Sequence, residues 1–236
     1  MQYPSPLQQA LLIRRYKRFL ADVELPDRQV ITVHCPNTGS MLRCAEPGSR
    51  VWLLDSHNPK RKYRHSWEWV EVDQQHLACI NTQRANQLVA EALQEDRIAE
   101  LRGYQQVEKE PKVEDGRLDF LLHANGEASA YVEVKNVTLL PEHTSVGQFP
   151  DAVTERGRKH LLRLQQLCNE GHRAVLLFCV AHQGINTVTV ADDIDSAYGA
   201  ALREVMAAGV EVLAYQVAFD QQVPGMSLQQ RLPLVV

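Results

Sequence analysis

The run Ala174-Val-Leu-Leu-Phe-Cys-Val-Ala constrains this chain more than any other segment. Eight apolar residues in succession suit a strand buried on both faces, and such a strand needs helices packed on either side of its sheet. The flanks supply them. Residues 152–169 carry a helical stripe of Leu161, Leu164 and Cys168, and a second helix over about 196–208 ends at Gly209. Val210-Glu-Val-Leu-Ala-Tyr-Gln-Val then provides the next strand. The second part of the chain therefore reads as an α/β domain with a mixed sheet flanked by helices.

The front of the chain follows another rule. Five short β-rich runs are expected, at residues 19–25, 30–34, 50–54, 64–72 and 77–80, separated by Pro26-Asp, Pro36-Asn-Thr-Gly, Pro47-Gly and Asn58-Pro. Five such strands without a long helix suit a small β-barrel. A helix begins near Asn81-Thr82, where either residue can cap it and Leu88, Ala92 and Leu93 form its apolar stripe. The domains are accordingly expected at 1–80 and 81–236.

Composition excludes several classes. Hydrophobic residues are 44% and charged residues 23% of the 236, an ordinary globular balance. No apolar run approaches a membrane span, and the basic residues near the start follow Leu11-Leu-Ile rather than precede it. Both features place the chain in the cytoplasm, away from membranes. Five cysteines with no CxxC pair favour neither a disulfide framework nor structural zinc, and Cys35 reads as core. The formal charge of −4 is uneven, +3 over residues 1–80 and −7 over 81–236, so a nucleic-acid surface must be local.

Chemistry concentrates in Asp119, Glu133 and Lys135. Glu133 and Lys135 lie two apart in Tyr131-Val-Glu-Val-Lys, so on a strand they share a face. A carboxylate and an ammonium between buried valines are costly unless they are paired or bind a metal. An exposed Glu–Lys pair is the plainer alternative. Asp119 precedes the apolar run Phe120-Leu-Leu on the other arm of a hairpin around Asn125-Gly126. A two-residue turn would put Asp119 and Glu133 on opposite faces, whereas a three-residue loop, Ala124-Asn-Gly, pairs 119 with 131 and brings both acids to one face. We expect the second arrangement. Two carboxylates beside a lysine then offer oxygen ligands for Mg²⁺, with Glu91 of the preceding helix as a possible third acid.

Candidate nucleic-acid contacts form three groups. Lys60, Arg61, Lys62 and Arg64 interleave with Tyr63, Trp67 and Trp69, which could stack bases or simply fill a core. Arg14, Arg15, Lys17 and Arg18 form a second cluster, and Arg156, Arg158 and Lys159, with His160 and Arg163, make the 152–169 helix basic. Gly157 within that helix suggests close approach of another backbone or of phosphate. Asn37-Thr-Gly-Ser reads as an ordinary turn rather than an anion nest.

The spacing Asp119-x13-Glu133-Val-Lys135 resembles the catalytic motif of restriction-endonuclease-like nucleases. The whole chain resembles the bacterial sugar fermentation stimulation protein family. The resemblance runs through Arg15-Tyr-Lys-Arg-Phe-Leu-Ala-Asp-Val, His34-Cys-Pro-Asn-Thr-Gly-Ser-Met, Asn58-Pro-Lys-Arg-Lys-Tyr, Gly116-Arg-Leu-Asp-Phe-Leu-Leu, Val132-Glu-Val-Lys-Asn-Val-Thr-Leu and the block at residues 149–161. It implies an oligonucleotide-binding (OB) barrel followed by a restriction-endonuclease-like domain, DNA as partner with low sequence specificity, and a regulatory role in maltose use. Catalysis and purely regulatory DNA binding are both compatible with it. No motif for a small-molecule cofactor and no separate aromatic platform for a sugar is visible, and nothing in the sequence fixes an oligomeric state.

Overall fold

A computed structural model describes residues 1–114, 116–124 and 128–236. The front of the chain forms strands β1 (Gln8–Tyr16), β2 (Leu20–Glu24), β3 (Val30–His34), β4 (Arg50–Asp55), β5 (His65–Val72) and β6 (His76–Cys79). Antiparallel pairing runs β3-β2-β1-β4-β5, and a parallel contact between His34 of β3 and Ser66 of β5 closes five strands into a barrel. Its membership differs from the sequence expectation. β1 belongs to the barrel, while the expected strand at 77–80 is β6, outside the closed ring and hairpinned to β5. The consecutive Leu11-Leu-Ile hid the alternation in β1, where Ala10 and Leu12 are buried and Leu11 and Ile13 are exposed.

Asn81 and Thr82 lead into helix α1 (Gln83–Gln94), with the Gln83 amide donating to Asn81 Oδ1 at 3.2 Å. The second sheet follows, built of β7 (Gln106–Lys109), β10 (Phe120–His123), β11 (Ala130–Val137), β13 (Arg173–Val180), β15 (Glu211–Asp220) and β16 (Gly225–Arg231). A ribbon of β8 (Lys112–Val113) and β9 (Gly116–Arg117) leads into β10, and β12 (Val146–Phe149), β14 (Thr187–Val190) and β17 (Leu234–Val235) make a small parallel sheet. The order is β16-β15-β13-β11-β10-β7, parallel across β11, β13 and β15 and antiparallel at both flanks.

The apolar run at 174–181 falls on β13 at the centre of this sheet. Val175, Leu177 and Cys179 face a core shared with α1, whereas Ala174, Leu176, Phe178 and Val180 face helices α2 (Glu155–Asn169) and α3 (Ser196–Ala207). Alternate side chains thus bury against helices on opposite faces, which is why no polar residue interrupts the run. In β11, Val132 and Val134 belong to the α1 side. Glu133 and Lys135 therefore project toward α2.

The β10–β11 register pairs Phe120 with Val132 and Leu121 with Tyr131. Extended by one residue it sets Asp119 opposite Glu133, not opposite Tyr131 as expected. The difference is two residues, so the shared face is kept. The Asn125-Gly126 turn itself lies outside the described residues.

Barrel and second domain meet at a buried ion pair. Glu68 of β5, 1% exposed, accepts from Arg84 of α1 at 2.8 and 2.9 Å, from Asn81 at 3.0 Å and from Tyr3 at 3.2 Å. Trp67 and Trp69 on either side of it are fully buried, so they fill the core and cannot stack bases. Arg84→Met would leave the Glu68 carboxylate unpaired in the interior and should cost about 3–5 kcal/mol of stability in urea unfolding. Replacing both partners, Glu68→Gln with Arg84→Met, should recover part of that loss. A cost below about 1 kcal/mol for Arg84→Met would mean the pair behaves as a solvent-screened surface contact.

Candidate functional site

Asp119, Glu133 and Lys135 line one cleft of about 390 Å³ between the barrel and the second domain. Glu133 is only 3% exposed. Its Oε1 accepts from Lys135 Nζ at 2.5 Å and meets His160 Nδ1 of α2 in a short hydrogen bond. Lys135 Nζ also lies 3.3 Å from His160 Nδ1, and Arg156 Nε lies 3.4 Å from Nε2. Asp119 is held from two sides, by Asn86 Nδ2 of α1 at 2.6 Å and by the Val134 amide at 2.7 Å. Each carboxylate keeps lone pairs beyond these bonds.

The two acids differ electrostatically. Burial pushes the Asp119 carboxyl above the ordinary value of 3.8 and the nearby Glu133 charge adds to this, despite the hydrogen bonds from Val134 and Asn86. Burial would raise Glu133 as well, but the His160 hydrogen bond and the Lys135 charge outweigh it and hold Glu133 below its ordinary 4.5.

The barrel contributes the roof. Asn37, Thr38 and Gly39 line the cleft, and Asp151, in the loop between β12 and α2, fastens this segment. Ser40 Oγ donates to Asp151 Oδ2 at 2.9 Å and the Met41 amide does so at 3.1 Å. A Cβ at position 39 would lie 3.0 Å from Asn37 Oδ1 and 3.2 Å from Asp151 Oδ2, which accounts for Gly39. Arg15 holds the segment from behind, donating to the carbonyls of Asn37 at 2.9 Å and Gly39 at 2.8 Å. The turn reading of Asn37-Thr-Gly-Ser missed its part in the cleft, and Arg15 is a structural clamp whose guanidinium is occupied by backbone oxygens.

The other sequence candidates separate by place. Glu91 is not among the cleft residues. It pairs with the N-terminal amine at 2.6 Å and with Arg97 at 2.7 Å, beside a different cavity. Asn86 is the α1 side chain that reaches the site instead. Lys17 and Arg18 form the β1–β2 turn with φ of 49° and 64°, next to the exposed Phe19, while Arg14 pairs with Asp22 at 2.8 Å. Lys60, Arg61, Lys62 and Tyr63 occupy the β4–β5 loop, and Arg64 there is tied to Asp55 at 2.7 and 2.5 Å. Arg156 lines the cleft, Lys159 lines an adjoining cavity, and Arg158 is exposed and lines neither. Gly157 is explained by protein packing rather than by phosphate, since a Cβ there would meet the capping Thr154 at 2.8 Å and Tyr198 at 3.1 Å. Cys35 is fully buried.

His160 is the participant that sequence reading left in a generic basic face. Its only signal was its position four residues after Arg156 and one before the buried Leu161, which cannot identify a partner on another element.

Because folding raises the Asp119 pKa, ionisation of this group weakens the folded state. Its cost is absent below the ordinary carboxylate range and sets in as pH rises through the folded value. Asp119→Asn should therefore gain stability relative to the parent between about pH 4 and about pH 7, read by urea unfolding at each pH. An offset that stays constant over this interval would contradict the raised Asp119 pKa.

Comparison with known proteins places these features in a family. The sequence model described as the SfsA N-terminal OB domain matches residues 13–80, and that of the sugar fermentation stimulation protein RE domain matches residues 83–223. A sugar fermentation stimulation protein homolog of Marinomonas sp. (strain MWYL1) is 53% identical over 237 residues, covering 100% of this chain and 91% of the relative. One from Pseudomonas putida strain KT2440 is 50% identical over 238 residues, covering 100% and 99%. The solved structure of Pyrococcus furiosus SfsA in complex with Ca²⁺ has the same fold, with a TM-score of 0.89 at 24% identity over 100% of this chain and 98% of that one. An OB barrel joined to a mixed-sheet domain flanked by helices, together with identity near one half along the whole chain, makes this protein a member of the sugar fermentation stimulation protein family.

Proposed function

We propose that this protein binds DNA with low sequence specificity and cleaves phosphodiester bonds with a divalent cation held by Asp119 and Glu133. The observation that carries the reading is the convergence of a buried carboxylate, Glu133, a half-buried one, Asp119, a lysine and a histidine in one cleft under a loop of the barrel. The donor chemistry fits a hard cation. Carboxylate oxygens face the cleft, no cysteine is among its described lining residues, and two mutually repelling acids gain from a cation between them. Among the described residues no group of three or more His, Cys, Asp or Glu side chains is set to hold a metal, so a cation held by Asp119 and Glu133 would take the rest of its shell from water and substrate phosphate. The Pyrococcus relative is described in complex with Ca²⁺, an ion of this class.

A bound Mg²⁺ would offset charge on the phosphate and lower the pKa of a water. Lys135 orients the attacking water and balances charge that develops on the phosphate. His160 fixes the Glu133 carboxylate through Oε1, and Asn86 with the Val134 amide fixes Asp119. The Asn37–Gly39 segment covers the site.

A basic path leads to the cleft. Arg15 donates to the carbonyl of Arg18 at 2.8 Å as well as to the roof segment, linking the β1–β2 turn to the cleft. The Arg61 charge is felt at His34, which runs into that segment, so the β4–β5 loop lies at the same end of the barrel. These two loops are the ones by which OB barrels commonly engage nucleic acid.

The test is Mg²⁺-dependent cleavage of single-stranded, duplex and branched DNA, alongside binding in EDTA. The parent should cleave at least one substrate, and Glu133→Ala should abolish cleavage while binding is unchanged or slightly tighter. Lys60→Ala with Arg61→Ala should flatten the salt dependence of binding by roughly one unit per lost phosphate contact. A parent that binds DNA but cleaves none of the panel would instead support a regulator of sugar metabolism, the role the family's description suggests. Absence of DNA binding would remove both readings.

A further inference from the structure

Behind the carboxylate cleft lies a more enclosed cavity of about 270 Å³ that shares Arg117, Arg156 and His160 with it. Lys159 and Arg163 complete the polar wall, and Leu118, 2% exposed, belongs to its apolar lining. No carboxylate is among the described residues that line it. Arg117 pairs with Glu110 at 2.8 Å, but both side chains are more than half exposed, so solvent screens the pair and a stronger anion can displace it. Arg163 is engaged by Glu114 at 3.1 Å. Lys159, an exposed residue, lines the cavity and has no ion pair or side-chain hydrogen bond among those found for the described residues.

We propose that this cavity is a phosphate subsite, separate from the two carboxylates, in which Arg117, Arg156 and Lys159 hold one phosphate group of a strand lying in the cleft. Two rigid guanidinium forks and a point charge around one partly enclosed hollow suit a compact oxyanion with several acceptor oxygens. Arg117 approaches from the β9 ribbon and Arg156 and Lys159 from α2, so the cations come from two elements. Sharing Arg117 and Arg156 with the cleft fixes the bound phosphate next to the position of the reacting one. The identity of the ligand as a nucleic-acid strand rests on the function proposed above, whereas anion binding does not.

Calorimetry of the full chain with inorganic phosphate in EDTA at low ionic strength tests the subsite without reading cleavage. One saturable site is expected. Lys159→Ala and Arg117→Ala should each weaken it about tenfold or more, the size of a lost charge-assisted contact. Arg28→Ala, a cation that lines neither cavity, and Glu133→Ala should not weaken it. No saturable binding by the parent, or an equal loss in Arg28→Ala, would overturn the subsite. A single-stranded oligonucleotide with and without a 5′-phosphate then identifies the source. Tighter binding of the phosphorylated form that Lys159→Ala erases assigns a terminal phosphate, and equal binding of both forms that Lys159→Ala weakens assigns an internal one. Equal binding untouched by Lys159→Ala would overturn the assignment to nucleic acid. Because none of these measurements uses metal, loss of the nuclease reading would leave their outcome intact.

Discussion

The enclosure of two carboxylates, Asp119 and Glu133, in one cleft is the constraint on which the site depends. Two carboxylates in one partly dry cleft are unfavourable, and folding accepts them because each is held by several groups. Glu133 receives His160 and Lys135, and Asp119 receives Asn86 and a backbone amide. These partners come from α1, α2 and β11, so the placement of three elements is tied to one pair of acids. The compensation is incomplete, as the raised Asp119 pKa indicates.

The cleft also depends on how firmly the barrel is joined to the second domain. Glu68 with Arg84 locks β5 to α1 in the interior, while Asp151 holds Ser40 and Met41 at the opposite edge of the junction. Between these anchors the Asn37–Gly39 segment is suspended over the carboxylates, with Arg15 bonded to its carbonyls. The barrel is thus part of the site wall.

How far the sequence disclosed this follows from the range of each signal. The uninterrupted apolar run on β13 identified a sheet covered on both faces, and charged residues among valines in β11 identified the acids, because both signals are local. Register was legible only as parity. Expecting Asp119 beside Tyr131 when pairing extends to Glu133 is an error of two residues, harmless to the shared face. Longer-range features were not legible. Nothing near Glu68 announces Arg84, nothing near Arg15 announces the carbonyls it bonds, and His160 looks like any member of a basic helix until α2 is packed on β11. Glu91 was chosen as the nearest acid on α1, but the helix turns it to the N-terminal amine and presents Asn86 to the cleft. Trp67 and Trp69 carry an ambiguous signal, since rings beside cations suit stacking or a core equally; the barrel interior takes Trp67, and the core shared with the second domain takes Trp69.

The central claim is that Asp119 and Glu133 form a divalent-cation site, and calorimetric titration of Mg²⁺ and Ca²⁺ into the DNA-free protein tests it most directly. The account predicts saturable binding by the parent, its loss in Asp119→Asn, and unchanged or tighter binding in Lys135→Ala, where a like charge has left the site. Binding that persists undiminished in Asp119→Asn, or a parent that takes up neither ion, would contradict it.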